Sequence, residues 1–176
     1  MSTPLYDALR AYASSRPLRL HMPGHKGHLP GVFRSFAEID VTELPPVGNL
    51  YTGQGPVRQA EALYARAAGA SDALFFSCGS TQGIQTMLLA AVGAGGTVIL
   101  DRGCHQSVYH AMALLDIQPV YLFPRWRAGL PEPVTPELAA PVLAAHPEAA
   151  ALLVTTPDYY GQRTPLTPLK ALCHSR

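Results

Sequence analysis

Apolar residues recur at helical spacing in two segments near the middle of the chain. In residues 56–68 the apolar positions are Val57, Ala60, Leu63, Tyr64 and Ala67, and in residues 81–92 they are Ile84, Met87, Leu88 and Ala91. Positions three and four apart lie on one face of a helix, so this spacing predicts two amphipathic helices. Gly69 follows the first helix as a typical C-terminal cap, and Gly93 ends the second.

Four short apolar runs are typical of buried strands. They are residues 73–76, 97–100, 119–123 and 151–155. Further helices are predicted from His105 to Leu115 and from Thr135-Pro136 onward, and residues 125–134, rich in Pro and Arg, form a connection. Strands that alternate with helices at this spacing predict an α/β fold, with a mainly parallel sheet in a three-layer αβα arrangement.

The N-terminal third of the chain has a different pattern. Thr3-Pro4 is a typical cap and first helical position, which predicts a short helix to about Ser14. From His21 to Gly55 the chain is dense in Gly and Pro, and a loop of this length is usually functional or disordered. We therefore divide the chain into residues 1–55, a helix with a Gly/Pro-rich segment, and residues 56–176, the α/β part. Thr167-Pro168 opens a last helix.

Composition narrows the classes of function. Charged residues make up 14% of the 176 residues against 48% hydrophobic, and the formal net charge is +1. This balance argues against a nucleic-acid-binding tract or a membrane-surface patch. The N-terminus lacks a basic region followed by an apolar stretch, and no apolar run approaches the length of a membrane span. We expect a cytoplasmic protein that binds neither nucleic acid nor membrane.

The cysteines and the N-terminal histidines do not form a metal-binding pattern. Cys78, Cys104 and Cys173 are odd in number, widely spaced and without a CxxC pair, which predicts reduced thiols. Residues 21–28 contain three histidines, but the intervening Pro and Gly residues prevent a regular helix that would align them as ligands. We therefore expect no metal site.

The stretch Phe76-Ser77-Cys78-Gly79-Ser80-Thr81-Gln82-Gly83 lies between a predicted strand and a predicted helix. A strand that turns through glycine and hydroxyl residues into a helix presents unpaired backbone N–H groups and the positive end of the helix dipole. Gly79, Ser80 and Thr81 are therefore candidate ligands of a phosphate group. The alternative is an ordinary serine cap on a structural helix.

Polar residues gather at the predicted carboxyl ends of three strands. These ends are residues 77–81, 101–107 and 155–160. Ligands of open α/β sheets bind outside the carboxyl ends of the strands, which predicts a site formed by these segments. Such ends can also be polar simply because they are loops.

Five motifs follow one another in the order of a known family. They are His21-Met22-Pro23-Gly24-His25-Lys26-Gly27, then Gly48-Asn49-Leu50-Tyr51 with Gly55-Pro56 and Gln59-Ala60-Glu61, then Cys78-Gly79-Ser80-Thr81-Gln82-Gly83, Asp101-Arg102-Gly103-Cys104-His105-Gln106-Ser107 and Thr156-Pro157-Asp158-Tyr159-Tyr160-Gly161. Together they resemble the ornithine/lysine/arginine decarboxylases, which use pyridoxal 5'-phosphate (PLP) and have the aspartate aminotransferase fold. Each motif alone is weak, whereas five in this order are specific.

The resemblance implies roles for individual residues. Gly79, Ser80 and Thr81 would hold the cofactor phosphate, His105 would stack on the pyridine ring as a catalytic residue, and Ser107 would contact the cofactor. The expected reaction is decarboxylation of ornithine, lysine or arginine in a homodimer or higher homo-oligomer. The product would be a diamine or agmatine.

Two parts of that family's active site are not present in this sequence. The lysine that holds PLP covalently lies in a Ser-x-His-Lys motif beyond the Tyr-Tyr-Gly turn, and the lysines here are Lys26 and Lys170. The aspartate that pairs with the pyridine nitrogen belongs to an Asp-x-Ala-His motif expected after Arg176. We therefore expect a truncated, N-terminal portion of the PLP-binding major domain that is inactive alone.

Two alternatives stay open. The chain could be a non-catalytic, truncated paralogue that pairs with a full-length subunit. It could instead belong to another PLP enzyme of the same fold, an aminotransferase or a lyase, although these usually place Tyr or Phe where His105 stands.

Overall fold

The computed structural model describes residues 2–175 of the chain. It contains two compact units, Met1–Ser77 and Cys78–Arg176. The domain boundary that the sequence suggests after residue 55 stays a prediction. No helix among the described residues is long and apolar enough to cross a membrane.

The first unit is built from helices and irregular backbone. Its elements are α1 (Pro4–Ser14), a 3₁₀ turn (Gly31–Phe33), α2 (Arg34–Ala37) and α3 (Gly55–Ala68). Helices α1 and α3 pack against each other. The predicted helices at both positions are confirmed, and α3 ends at Gly69, whose φ of 66° is the left-handed conformation of a C-terminal cap.

The strand predicted at residues 73–76 is wrong, because this segment pairs with no strand in the described part of the chain. Side chains of α3 bind its backbone instead. The N–H of Phe75 donates to Oε1 of Glu61 at 2.9 Å, and Arg58 donates to the carbonyl of Ala73 at 3.3 Å. A short apolar run indicates burial, but it does not show whether a partner strand is present.

The second unit contains a three-stranded parallel sheet and four helices. In chain order these are α4 (Gly79–Ala91), β1 (Thr97–Asp101), α5 (Gln106–Leu115), β2 (Gln118–Leu122), β3 (Trp126–Arg127), β4 (Leu130–Pro131), α6 (Pro136–Ala145), β5 (Ala149–Leu153) and α7 (Leu166–His174). The sheet order is β2-β1-β5, and β1 runs parallel to both neighbours. The predicted α/β fold with a parallel sheet is therefore confirmed.

Helices cover both faces of this sheet, which makes the unit three layers. Along β1, Val98 and Leu100 point to one face and pack with residues of α4 and α5, whereas Ile99 points to the other face and packs with residues of α6 and α7. All three side chains are fully buried, and each such burial contributes about 2 kcal/mol. The alternation follows from the two-residue period of a strand.

Residues 125–134 are more ordered than the sequence predicts. Strands β3 and β4 form a small antiparallel hairpin, with Trp126 opposite Pro131 and Arg127 opposite Leu130. Ala128 and Gly129 form the turn, with φ values of 50° and 80°. Positive φ at both turn residues matches the two-residue turns that suit the twist of a hairpin.

Candidate functional site

The amino end of α4 lies where the sequence predicts a phosphate-binding turn. Gly79 has a φ of 71°, a conformation that favours glycine, and its open side faces no neighbouring atom within 4 Å. Ser80 and Thr81 occupy the first turn and are exposed. Neither hydroxyl hydrogen-bonds another side chain or the backbone within residues 2–175. The first-turn N–H groups and two hydroxyls can therefore bind an anion together.

His105 caps the amino end of α5. Its Nδ1 accepts a hydrogen bond from the N–H of Ser107 at 3.2 Å and lies 2.9 Å from the Ser107 hydroxyl oxygen. The imidazole is exposed, whereas Ser107 is only 1% exposed. The structure thus places Ser107 in the interior, where its polar contact is the ring of His105. With Nδ1 as acceptor, a neutral imidazole carries its proton on Nε2.

The amino ends of α4 and α5 lie at the same edge of the sheet. The loop between α4 and β1 meets the carboxyl end of α5, because the N–H of Gly95 donates to the carbonyl of Leu115 at 2.9 Å. That loop leads into the amino end of β1, so both helices run antiparallel to β1. Their first turns, with Ser80, Thr81 and His105, therefore point toward the carboxyl ends of the strands, where α/β proteins bind ligands.

Hydrogen bonds hold the loop between β1 and α5 in place. Oδ1 of Asp101 accepts from the N–H of Gly103 at 3.0 Å, and the hydroxyl of Tyr109 donates to the carbonyl of Arg102 at 2.9 Å. Cys104 belongs to this loop and is buried, and burial raises the pKa of its thiol. Burial also raises the pKa of the Tyr109 hydroxyl. Both groups are therefore neutral at physiological pH.

Asp158 organises the turn that follows β5. Its Oδ1 accepts hydrogen bonds from the N–H groups of Tyr160 at 2.9 Å and Gln162 at 2.8 Å. Gly161 has a φ of 80°, and its N–H donates to the Asp158 carbonyl at 3.0 Å. The carboxylate is therefore occupied by backbone donors, and the turn displays Tyr159 and Tyr160, which are exposed and meet edge to face.

A cavity of about 500 Å³ lies at the carboxyl end of the sheet. It is lined by residues that follow β1, β2 and β5 and by the β3–β4 hairpin; they include Asp101, Arg102, Phe123, Trp126, Glu132, Asp158, Tyr159 and Tyr160. The structure thus brings together two of the three predicted strand-end segments. Ser80, Thr81 and His105 do not line this cavity. Sequence reasoning missed Trp126 and Glu132. Both line the cavity through the β3–β4 hairpin, which the sequence did not predict.

The two lysines of the sequence belong to other segments than the strand ends and helix starts described above. Lys26 belongs to the first unit, and its Nζ donates to the carbonyl of His21 at 2.6 Å. Lys170 is exposed on α7, which packs on the sheet face opposite to α4 and α5. No group of three side chains that could hold a metal ion occurs among the described residues.

Glu61 has a structural role that the sequence does not reveal. It is 2% exposed, accepts from Phe75 through Oε1, and lies 3.5 Å from Nη1 of Arg58 through Oε2. Arg58 also pairs with Asp72 at 2.7 Å. The spacing of Arg58 and Glu61 by three residues predicts a helical ion pair, but not the contact of Glu61 with the segment that precedes α4.

Comparison with known proteins relates the chain to a family of decarboxylases. The family "Orn/Lys/Arg decarboxylase, major domain" matches residues 3–176. An arginine decarboxylase of Bacillus subtilis is 34% identical over 182 residues, which cover 98% of this chain and 37% of that protein. The inducible lysine decarboxylase of Escherichia coli K12 is 28% identical over 150 residues, covering 73% of this chain and 21% of that enzyme.

Solved structures give the same relationship. The constitutive lysine decarboxylase of E. coli superposes with a TM-score of 0.70 at 26% identity, covering 89% of this chain and 25% of that one. Lysine decarboxylase A from Pseudomonas aeruginosa gives a TM-score of 0.68 at 25% identity, covering 88% and 24%. The chain therefore spans between about a fifth and little more than a third of the length of these relatives. By sequence and by fold, it belongs to the ornithine/lysine/arginine decarboxylase family and corresponds to part of the major domain.

Proposed function

We propose that this chain supplies the phosphate-binding and ring-stacking part of the PLP site in a decarboxylase that acts on ornithine, lysine or arginine. The observation that carries the proposal is the common orientation of α4 and α5, which directs Ser80, Thr81 and His105 to one edge of the sheet. Family membership supports the same reaction class.

The donors at the amino end of α4 fit a phosphate group. The exposed first turn offers backbone N–H groups, the positive end of the helix dipole and the hydroxyls of Ser80 and Thr81. Gly79 leaves open space beside them, where no other atom lies within 4 Å of its missing side-chain position. These groups would anchor the cofactor by its phosphate.

PLP, when bound, takes up the electron pair that remains when a bond to the Cα of the amino acid breaks. This chain would contribute orientation. His105 is fixed through Nδ1, so its ring can hold the cofactor ring in one plane. Ser107 would then act as a positioning residue behind His105, and Gly79, Ser80 and Thr81 would bind the phosphate.

The lysine that joins PLP covalently, and the carboxylate that pairs with its pyridine nitrogen, are proposed to come from residues outside this sequence. Lys26 is engaged with the His21 carbonyl, and Lys170 lies on the opposite face of the sheet. Residues 1–176 alone would therefore bind the cofactor without turning over substrate. A cytoplasmic location and assembly into a homodimer or larger homo-oligomer belong to the same proposal.

The test is titration of the purified chain with PLP. Binding is measured by the quenching of Trp126 fluorescence and, separately, by calorimetry. The double variant S80A/T81V removes two phosphate donors, and each lost charge-assisted bond weakens binding by about tenfold. H105A should bind PLP more weakly than wild type, whereas S71A, which removes an exposed hydroxyl elsewhere, should match wild type. Absence of PLP binding, or equal binding by S80A/T81V, would overturn the proposal.

Borohydride reduction tests the missing lysine separately. After incubation with PLP and reduction, intact mass should show no stoichiometric adduct. A specific adduct on Lys26 or Lys170 would mean that this chain carries its own covalent cofactor lysine.

A further inference from the structure

The first unit contains a cavity of about 920 Å³ whose lining includes five cationic side chains. The cations are Arg10, Arg16, Arg19, Lys26 and Arg34, and they come from α1, the residues after it, the glycine-rich motif and α2. Glu38 is the one carboxylate among the lining residues, and His28 also lines the cavity. We refer to this feature as the basic cavity.

The positive charge of the basic cavity contrasts with the rest of the chain. Five of the 13 lysines and arginines line it, although the whole chain has a formal net charge of only +1. Like charges that surround a concave surface reinforce one another and concentrate anions there. Repulsion among these cations opposes folding of the first unit, so a bound anion would stabilise the folded state.

Two of the cations are held in place by neutral carbonyl groups. The guanidinium of Arg19 donates to the carbonyls of Ala37, at 3.1 Å, and Glu38, and it lies 5.3 Å from the ring centroid of Tyr12. Lys26 donates to the carbonyl of His21 at 2.6 Å. A carbonyl orients a cation without neutralising its charge, so both side chains present a full positive charge at fixed positions.

The other cations are available to a ligand. Arg16 and Arg34 are exposed, and neither forms an ion pair with any residue in the described range 2–175. The pair of Arg10 with Glu38 is 3.8 Å long and about half exposed on both sides, which makes it weak. An incoming anion can therefore engage the guanidinium groups of Arg10, Arg16 and Arg34.

The backbone at the basic cavity is also strained. Arg16 and Lys26 have φ values of 48° and 53°, a left-handed conformation that residues with a side chain rarely adopt. Non-glycine residues persist there when surrounding structure compensates, often at ligand sites. Both of these cationic residues line the basic cavity.

We propose that the basic cavity binds a small molecule that carries two or more phosphate groups. Guanidinium groups match phosphate oxygens in paired hydrogen bonds. Five cations carry more positive charge than the roughly two negative charges of one phosphate group can balance. The concave shape favours a small ligand over a nucleic-acid strand, which needs a continuous groove. The residues that line the basic cavity belong to the first unit, whereas α4, with the proposed cofactor site, belongs to the second.

The experiment is calorimetric titration of the chain with inorganic pyrophosphate at about 50 mM and about 300 mM NaCl. One pyrophosphate should bind per chain, and its affinity should fall by roughly tenfold at the higher salt concentration, since salt screens exposed charges. The variant R16Q/R34Q should weaken binding by roughly tenfold or more. R66Q, which removes an exposed arginine of α3 outside the cavity, and S80A/T81V should bind like wild type.

Circular dichroism of each variant checks that it folds; Arg16 and Arg34 are exposed, so their substitution should leave the spectrum unchanged. The proposal is overturned by absence of pyrophosphate binding, or by R66Q losing as much affinity as R16Q/R34Q. Equal affinity for monophosphate would refute the need for two phosphate groups. Tighter binding of a DNA oligonucleotide would identify a nucleic-acid surface instead.

Discussion

The Ser107 hydroxyl oxygen lies 2.9 Å from Nδ1 of His105, and the N–H of Ser107 donates to the same nitrogen at 3.2 Å. Because Ser107 is 1% exposed, the exposed imidazole is anchored from the interior of the second unit. One residue thus fixes both the orientation of the ring and the nitrogen that carries its proton. Ser107, in the first turn of α5, thereby determines the orientation in which the His105 ring can contact a ligand.

Replacement of Ser107 by alanine tests this anchoring. The backbone bond remains, whereas the hydroxyl bond is lost, so we expect the free energy of unfolding to fall by about 1 kcal/mol. PLP affinity should fall by a few-fold, because the ring of His105 is less well oriented. Urea denaturation and PLP titration measure the two effects, and S71A is the control. Unchanged PLP affinity in a destabilised S107A protein would limit Ser107 to a structural role.

Glu61 is predicted to be essential for the stability of the first unit. In E61A the N–H of Phe75 loses its acceptor, and the guanidinium of Arg58 loses a buried partner. Loss of one partner from a buried network typically costs about 3 kcal/mol. Urea denaturation of wild type and E61A measures the difference in the free energy of unfolding.

The matched control for E61A is D72N. Asp72 also pairs with Arg58, at 2.7 Å, and the hydrogen bond from Arg58 holds the pKa of Asp72 below its usual value. Asp72 is exposed, however, so water and salt screen this pair and its loss should change stability little. A D72N protein as unstable as E61A would show that the ion pair, rather than the buried bond to Phe75, dominates.

The buried thiol of Cys104 should react slowly. Burial raises its pKa above 9.0, so its thiolate fraction at about pH 8 is small and the reagent has little access. Cys78 is exposed and should be alkylated first by iodoacetamide. Mass spectrometry at timed intervals, with and without urea, measures both rates. Equal rates for the two cysteines in the folded protein would contradict this placement.

The same groups predict a loss of stability in alkali. The pKa values of Cys104 and Tyr109 are raised in the folded state, from 9.0 and 10.0, so the unfolded state releases their protons more readily. The contribution of these two groups to the free energy of unfolding is fully present below about pH 9. It is lost as pH rises through their pKa values in the folded state. The free energy of unfolding should therefore decline above about pH 9. C104A should show a shallower decline than wild type in denaturation at a series of pH values.

Periodicity predicted the regular elements well. Gly69 does cap α3, and the strand predicted at residues 97–100 extends by one residue, to Asp101. These predictions succeed because spacing and capping depend on neighbouring residues. Residues 73–76 were wrongly predicted as a strand, since that outcome depends on Glu61, which lies more than ten residues away and binds the backbone.

The candidate site was predicted only in part. The sequence predicts helices over residues 81–92 and from His105 to Leu115, and the structure has α4 begin at Gly79 and α5 at Gln106, with His105 as the cap of α5. The interior position of Ser107 follows from the helix face that packs on the sheet. The basic cavity depends on Arg16, Lys26 and Arg34 meeting in three dimensions, which short sequence windows do not reveal.

The open edge of β5 is predicted to promote self-association. Among residues 2–175, β5 pairs with β1 on one side only, and its sequence Ala149–Leu153 contains no charge or proline. The other edge strand, β2, contains Pro119, which cannot donate to a further strand.

A150K introduces a charge at the open edge of β5 and should therefore self-associate less than wild type, as measured by light scattering over increasing concentration. A90K adds the same charge on an exposed position of α4 and is the control. Equal improvement by A90K would attribute the effect to net charge, because only A150K lies on the strand with the open edge.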